Sequence, residues 1–224
     1  MKKKSNPFLD SVPVLFGYIP LGFAFGILFS QLGHSWFFAP VSSILILAGA
    51  AQFLSIELIK NSTPLPEIFF TIFILNLRHV FYGLSLVKRF QFKTAKPYLI
   101  FGLTDETYSV ITAHKILDPK EDQRYCFTLT LLNHCYWVLG TTIGAWLGAT
   151  FHFDTRGFEF VLTALFTVLC VEQGFASQKK FPFAAGIVSS VFAQFLFPKN
   201  FLWVSISLTA VTLGVLSKWK GENE

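Results

Sequence analysis

Asn76, Arg78 and His79 stand in the middle of the apolar run Ile68–Val87, and Asp105 and Glu106 in the middle of the weaker apolar run Pro97–Ile116. An arginine at the centre of a membrane-buried helix costs roughly 2.5–3.5 kcal/mol on insertion scales, and intramembrane ionisable groups mark substrate, ion or proton pathways. The planar guanidinium fork of Arg78 matches a carboxylate, either on a cargo or on Asp105 or Glu106 in a static ion pair. Asp105 and Glu106 are adjacent, so on a regular helix they point about 100° apart and do not face one substrate as an acid–base pair. One can hold Arg78 while the other binds an ammonium group or a proton. His79 has the titration range of a proton shuttle, or is a hydrogen-bonded packing residue. Glu172-Gln173 closes a later apolar run, and Gln52 lies within another; glutamines in such places hydrogen-bond between helices or face a pathway.

The elements that must position these groups are membrane helices. Of the 224 residues, 53% are hydrophobic and 14% charged, against about a quarter charged in soluble domains. The apolar residues fall into runs near the ~20 residues that cross a bilayer. The expected fold is an all-α polytopic membrane protein, one domain over 1–224, with seven or eight transmembrane, broken or re-entrant helices. The runs are Ser11–Gln31, Phe37–Ile59, Ile68–Val87, Pro97–Ile116, Tyr125–Phe151, Gly157–Ser177, Phe181–Phe197 and Phe201–Lys218. Lys2-Lys3-Lys4 before the first run, with no small-residue cleavage signature after it, reads as the start of an uncleaved first span. Gly22 and Gly26, and Gly140 and Gly144, are spaced four apart and let helices approach closely. A weak internal repeat aligns about 11–87 with 125–197, setting Gln52 opposite Gln173.

Thr104-Asp105-Glu106-Thr107 encircles a whole helical turn with polar groups, so this segment is enclosed by other helices or locally unwound. Eight full spans with the N-terminus in the cytoplasm leave Lys88, Arg89, Lys93 and Lys96 outside, against the inner-leaflet bias of basic loops. If Ile68–Val87 and Pro97–Ile116 instead enter and return, all four move inside. Eight spans is the working expectation, with these two segments singled out to break.

The net charge of +5 sits in loops and termini, a membrane-orientation pattern that argues against nucleic-acid binding. Cys126, Cys135 and Cys170 lack ligand spacing, and no metal, nucleotide or hydrolase motif occurs. The reading implies no catalytic residue, metal or cofactor.

Together, Gly17–Gly26, Gly49-Ala50-Ala51-Gln52-Phe53, Asn76–Gly83, Leu103–Tyr108 and Leu162–Phe166, in this order, resemble the AzlC family, the large subunit of two-component branched-chain amino acid exporters of bacteria. The resemblance implies secondary, ion-gradient-driven export of branched-chain or related amino acids across the bacterial cytoplasmic membrane. It also implies a small hydrophobic AzlD-type partner subunit. The alternative is a non-transporting membrane scaffold or regulatory subunit whose buried charges are assembly contacts.

Overall fold

The computed structural model describes residues 6–92, 94–114, 116, 118–151, 160–161, 163–164, 167–168, 170–171, 181–197 and 201–221. They are all-α, and the chain forms two units, Met1–Ala164 and Leu165–Glu224. Glu172 and Gln173 lie outside the described residues, as does most of the run Gly157–Ser177, so these two candidates, and with them the expected match of Gln173 to Gln52, lie outside what the structure describes.

The first unit starts with a single turn, α1 (Pro7–Asp10), and the long α2 (Val12–Ser30). The expected second span is two helices, α3 (Phe38–Leu45) and α4 (Gly49–Lys60), separated by Ile46-Leu47-Ala48. α5 (Leu65–Leu86) is one unbroken helix of 22 residues. The expected fourth span is again two helices, α6 (Lys96–Phe101) and α7 (Asp105–Ala113), followed by α8 (Pro119–Thr150). In the second unit α9 (Phe181–Leu196) packs against α10 (Phe201–Gly221). Among the described helices, α2 and α5 are long and apolar enough to cross a bilayer.

Two expectations need correcting. Ile68–Val87 does not enter and return: its backbone ladder has no proline beyond the first turn and no reason to break. Phe37–Ile59 does break. Gln52 Nε2 lies 3.0 Å from both Ser42 Oγ and Ser43 Oγ. A straight path through three extended residues would separate these positions by roughly 20 Å, at 1.5 Å per helical and ~3.3 Å per extended residue. The chain therefore folds back, and α3–α4 is a hairpin.

The α6–α7 segment is a second hairpin, as its neighbours along α8 show. Tyr98 packs at a tilt against Phe127 and reaches His134, and Thr107 meets Asn133. The chain then returns until His114 packs on Tyr125. Thr104 caps the start of α7 by accepting from Thr107 N–H at 3.2 Å, and Asp105 and Glu106 occupy the first turn, where negative charge offsets the helix dipole. The polar turn is thus a helix start after an unwound Gly102-Leu103-Thr104.

α2 and α8 run parallel and close together. Ile19 faces Gly140, Phe23 faces Gly144 and Ile27 faces Gly148. A Cβ on Gly22 would lie 2.9 Å from the Trp137 carbonyl oxygen, and one on Gly140 2.6 Å from that of Ile19. The small residues therefore let two backbones touch where side chains would hold them apart.

One end of the unit is tied by polar contacts. Arg89 grips Asp122 with two bonds of 2.9 and 2.6 Å and also donates to the Ile111 and His114 carbonyls. The paired Asp122 raises the Arg89 pKa. Tyr125 donates to Asp10 at 3.1 Å, and His114 lies 3.4 Å from the same carboxylate. The start of α2 and the ends of α5 and α7 thus meet the start of α8. The order helix–hairpin occurs twice, α2 with α3–α4 and α5 with α6–α7, in opposite directions.

Candidate functional site

The tip of the second hairpin delivers Asp105 to the middle of α5. Arg78 Nη1 lies 2.7 Å from Asp105 Oδ2, and Tyr82, one turn further on, donates its hydroxyl to Asp105 Oδ1. Tyr82 also stacks on Tyr108 with centroids 4.4 Å apart, so α5 and α7 travel together below the tip. Both side chains of the ion pair are about one-fifth exposed, 21% and 23%, so the pair borders open space and is not sealed in a core. Both oxygens of Asp105 are used, whereas Arg78 Nε is buried without a partner.

Glu106 points elsewhere, as the 100° offset requires. The Tyr18 hydroxyl, from α2, reaches two acceptors with one proton to give: Thr104 Oγ1 at 2.6 Å and Glu106 Oε2 at 2.7 Å. Thr104 in turn donates to Thr107 Oγ1 at 2.9 Å, and Asn133 Nδ2, from α8, reaches the same atom at 3.0 Å. Tyr18, Thr104, Thr107 and Asn133 are buried, and Glu106 is exposed. Among the described residues no cation pairs with Glu106, so the cluster of one arginine and two carboxylates carries one carboxylate in excess.

The tip of the first hairpin is held by Gln52. Its amide nitrogen donates to Ser42 and Ser43, and its oxygen accepts from Trp137 Nε1 at 2.7 Å. Ser43 also donates to Thr141 at 3.0 Å. With 2% exposure and every polar atom engaged, Gln52 is a clamp on the break. Beside it lies a cavity of about 430 Å³ between the hairpin and α5, lined by Ile46, Ala51, Ser55, Ile72 and Asn76 among others. Asn76 Oδ1 is buried there without a partner. His79 stands apart from these bonds and meets the edge of Tyr82 at 5.9 Å.

The structure therefore brings Arg78 and Asp105 together, with Asn76 two residues before the arginine, turns Glu106 toward Tyr18 on α2, and places Gln52 at the other hairpin tip. Sequence reasoning did not single out Tyr18, Tyr82, Thr104, Thr107, Asn133 or Trp137 as partners. One local signal was available: Thr104 followed by two acids and Thr107 is a helix-start pattern. The others are joined only by long-range contact.

The pattern of the AzlC protein family matches residues 13–151, which include both hairpins and all of these contacts. A protein of Helicobacter pylori described as an uncharacterized membrane protein is 34% identical over 97% of this chain and 96% of its own length. The branched-chain amino acid transport protein AzlC of Bacillus subtilis is 34% identical over 95% of this chain and 83% of its own. The inner membrane protein YgaZ of Escherichia coli is 33% identical over 62% of this chain and 59% of its own. No solved structure matches the chain. With residues 13–151 matching the family and nearly its whole length shared with these relatives, this chain is a membrane protein that belongs to the AzlC family.

Proposed function

We propose that the chain is the large subunit of a secondary transporter that exports branched-chain or related amino acids across the bacterial cytoplasmic membrane, driven by an ion gradient. The observation that carries this reading is Arg78. It is held by the first residue of a helix that begins inside the unit, and its Nε is left without a partner. A zwitterionic cargo needs a donor for its carboxylate and an acceptor for its ammonium group. Arg78 Nε is an unpartnered donor and Asn76 Oδ1 an unpartnered acceptor; two residues apart on α5, they face nearly opposite sides of the helix and are separate contact points. An unsatisfied buried polar group costs about 1–3 kcal/mol, so a ligand that satisfies either one is favoured, and the 430 Å³ cavity beside Asn76 accommodates a branched apolar side chain. Broken helices meeting inside the membrane are also how secondary transporters build substrate sites. The name of the Bacillus subtilis relative supports the substrate class.

In this reading α2, α5 and α8 cross the membrane, and the hairpins enter from opposite faces. Lys88, Arg89, Lys96, Lys120 and Arg124 then share the end that carries Asp10, with Lys60 at the other. The basic-loop rule makes the first end cytoplasmic, and with it the N-terminus. A small hydrophobic partner of the AzlD type completes the transporter. It has apolar surface to cover on α5, where Phe69, Phe73, Phe81 and Leu84 are each more than half exposed.

The test is efflux from proteoliposomes loaded with labelled leucine, the protein reconstituted with its small partner. Arg78→Lys keeps the charge and removes the planar fork. Losing one charge-assisted hydrogen bond, at about 1.5–3 kcal/mol, lowers efflux roughly 10- to 100-fold. Wild-type efflux from Arg78→Lys and Asp105→Asn would refute the site, and absence of leucine flux in the wild type would refute the function.

A further inference from the structure

Counting protons along the Glu106 contacts separates the two adjacent carboxylates. Asp105 is committed: Arg78 and Tyr82 occupy both of its oxygens. Glu106 instead ends a row of three hydroxyls and one amide, each in hydrogen-bond range of the next. The row runs Glu106 Oε2, Tyr18 hydroxyl, Thr104 Oγ1, Thr107 Oγ1 and Asn133, at 2.7, 2.6, 2.9 and 3.0 Å. A hydroxyl donates one proton and accepts others, so a row of this kind has two polarities.

With Glu106 ionised, Asn133 Nδ2 donates to Thr107, Thr107 to Thr104, Thr104 to Tyr18, and Tyr18 to the carboxylate. Every hydroxyl proton has a taker. With Glu106 protonated, the acid donates to Tyr18, Tyr18 to Thr104 and Thr104 to Thr107, and the last proton, that of Thr107, needs a buried acceptor. Asn133 has one. Its Oδ1 has no partner and the residue is 0% exposed. A half-turn of the amide exchanges nitrogen for oxygen opposite Thr107, two orientations that are nearly isosteric.

We infer that Glu106 is a proton-exchanging carboxyl, and that Tyr18, Thr104, Thr107 and Asn133 form a relay that reverses its polarity each time Glu106 gains or loses a proton. The proton comes from and returns to the exposed side of Glu106. No proton crosses the relay: each hydroxyl swings to its other neighbour, and the O–H bond made or broken is the one on Glu106. The relay thereby keeps both charge states of Glu106 hydrogen-bonded, where a fixed donor would favour only the anion. It also joins α2, α7 and α8, so the charge on Glu106 is felt at the glycine-packed α2–α8 seam. Of the titratable and charged groups on the elements that meet here, Tyr18 on α2 bonds to Glu106, Arg78 and Tyr82 on α5 bond to the adjacent Asp105, and His79 on α5 and Tyr108 on α7 pack on Tyr82. α8 contributes Asn133 and next to it His134, which bonds to Tyr98 and the Ser43 carbonyl. Of these, Arg78 is the strong cation, and it is already paired. The assignment deepens the transport reading and rests on it only for what the proton does, as the coupling ion exchanged for the amino acid.

The experiment is infrared difference spectroscopy of the purified full-length protein in lipid between acid and neutral pH. A carboxyl C=O band and a tyrosine C–O change are expected to titrate together. Glu106→Gln is expected to abolish both, and Tyr18→Phe to abolish the tyrosine change while keeping the carboxyl band. Tyr18→Phe removes one hydroxyl and keeps the ring against Trp137 at 5.5 Å, so it is the variant least exposed to misfolding. A tyrosine change that persists in Glu106→Gln, or that persists in Tyr18→Phe, overturns the relay. In parallel, leucine flux in proteoliposomes is measured with and without a pH gradient. Glu106→Gln is expected to lose the gradient response. A wild type that shows the coupled spectral change yet moves no leucine would refute the transport reading and leave the relay standing.

Discussion

Arg78 and Gln52 illustrate two fates of a polar side chain in an apolar helix. Gln52 spends every hydrogen bond inside the protein, on Ser42, Ser43 and Trp137, and so serves the fold. Arg78 spends only part of its fork, on Asp105, and keeps a buried Nε unpartnered. The two therefore respond differently to substitution. Gln52→Leu leaves the buried Trp137 N–H without an acceptor and frees the hairpin tip. It is expected to lower stability by about 1–3 kcal/mol, read as a lower midpoint of thermal unfolding in detergent. Arg78→Lys is expected to change efflux with little change in that midpoint. Equal unfolding losses in both would mean that Arg78 is only a structural ion pair. The sequence singled out both residues because polar groups in apolar runs are conspicuous. It did not say which of them was saturated, because saturation depends on partners as far as 85 residues away along the chain.

At the scale of elements, the α2–α8 seam and the start of α8 make separate demands. A methyl at Gly144 meets the Phe23 backbone, which cannot swing aside, whereas Gly17 has nothing within 4 Å of an added Cβ. Gly144→Ala is expected to destabilise by about 1–3 kcal/mol through overpacking. Gly17→Ala is expected to be neutral or slightly stabilising. Melting the two variants side by side checks both. The start of α8 is capped by Asp118, whose carboxylate accepts from the Glu121 and Lys120 amides, and these bonds lower its pKa. A carboxyl depressed in the folded state contributes stability above its unfolded pKa and loses it as pH falls through the folded one. Amide exchange at Lys120 and Glu121 is therefore expected to show protection lost in acid, and lost at all pH values in Asp118→Ala. The breaks themselves were unequally legible. Thr104-Asp105-Glu106-Thr107 announced a disturbed helix because four polar residues cannot share one face. Ile46-Leu47-Ala48 announced nothing, since a wholly apolar stretch breaks only under the tertiary pull of Gln52 and Trp137.

For the whole molecule, the membrane class and the all-α content were readable from composition and apolar runs, and charge in those runs pointed Arg78 to a carboxylate without choosing among Asp105, Glu106 and a cargo. The path of the chain was not. Its direction depends on Arg89 reaching Asp122 and on Tyr125 reaching Asp10, contacts that leave no local trace in sequence. Those contacts gather the 88–92 segment, the end of α7 and the start of α2 at one end, and eight straight crossings would put 88–92 at the opposite end from the other two. The central claim is therefore that a hairpin enters from each face toward Arg78, and the side of two short connections decides it. Asn61 and Gln91 are both exposed. With the three native cysteines replaced, Asn61→Cys and Gln91→Cys are reacted separately with a membrane-impermeant maleimide on intact cells and on inverted vesicles. The account predicts that Asn61→Cys labels only from outside and Gln91→Cys only from the cytoplasmic side; labelling of Gln91→Cys from outside and of Asn61→Cys from the cytoplasm would contradict it.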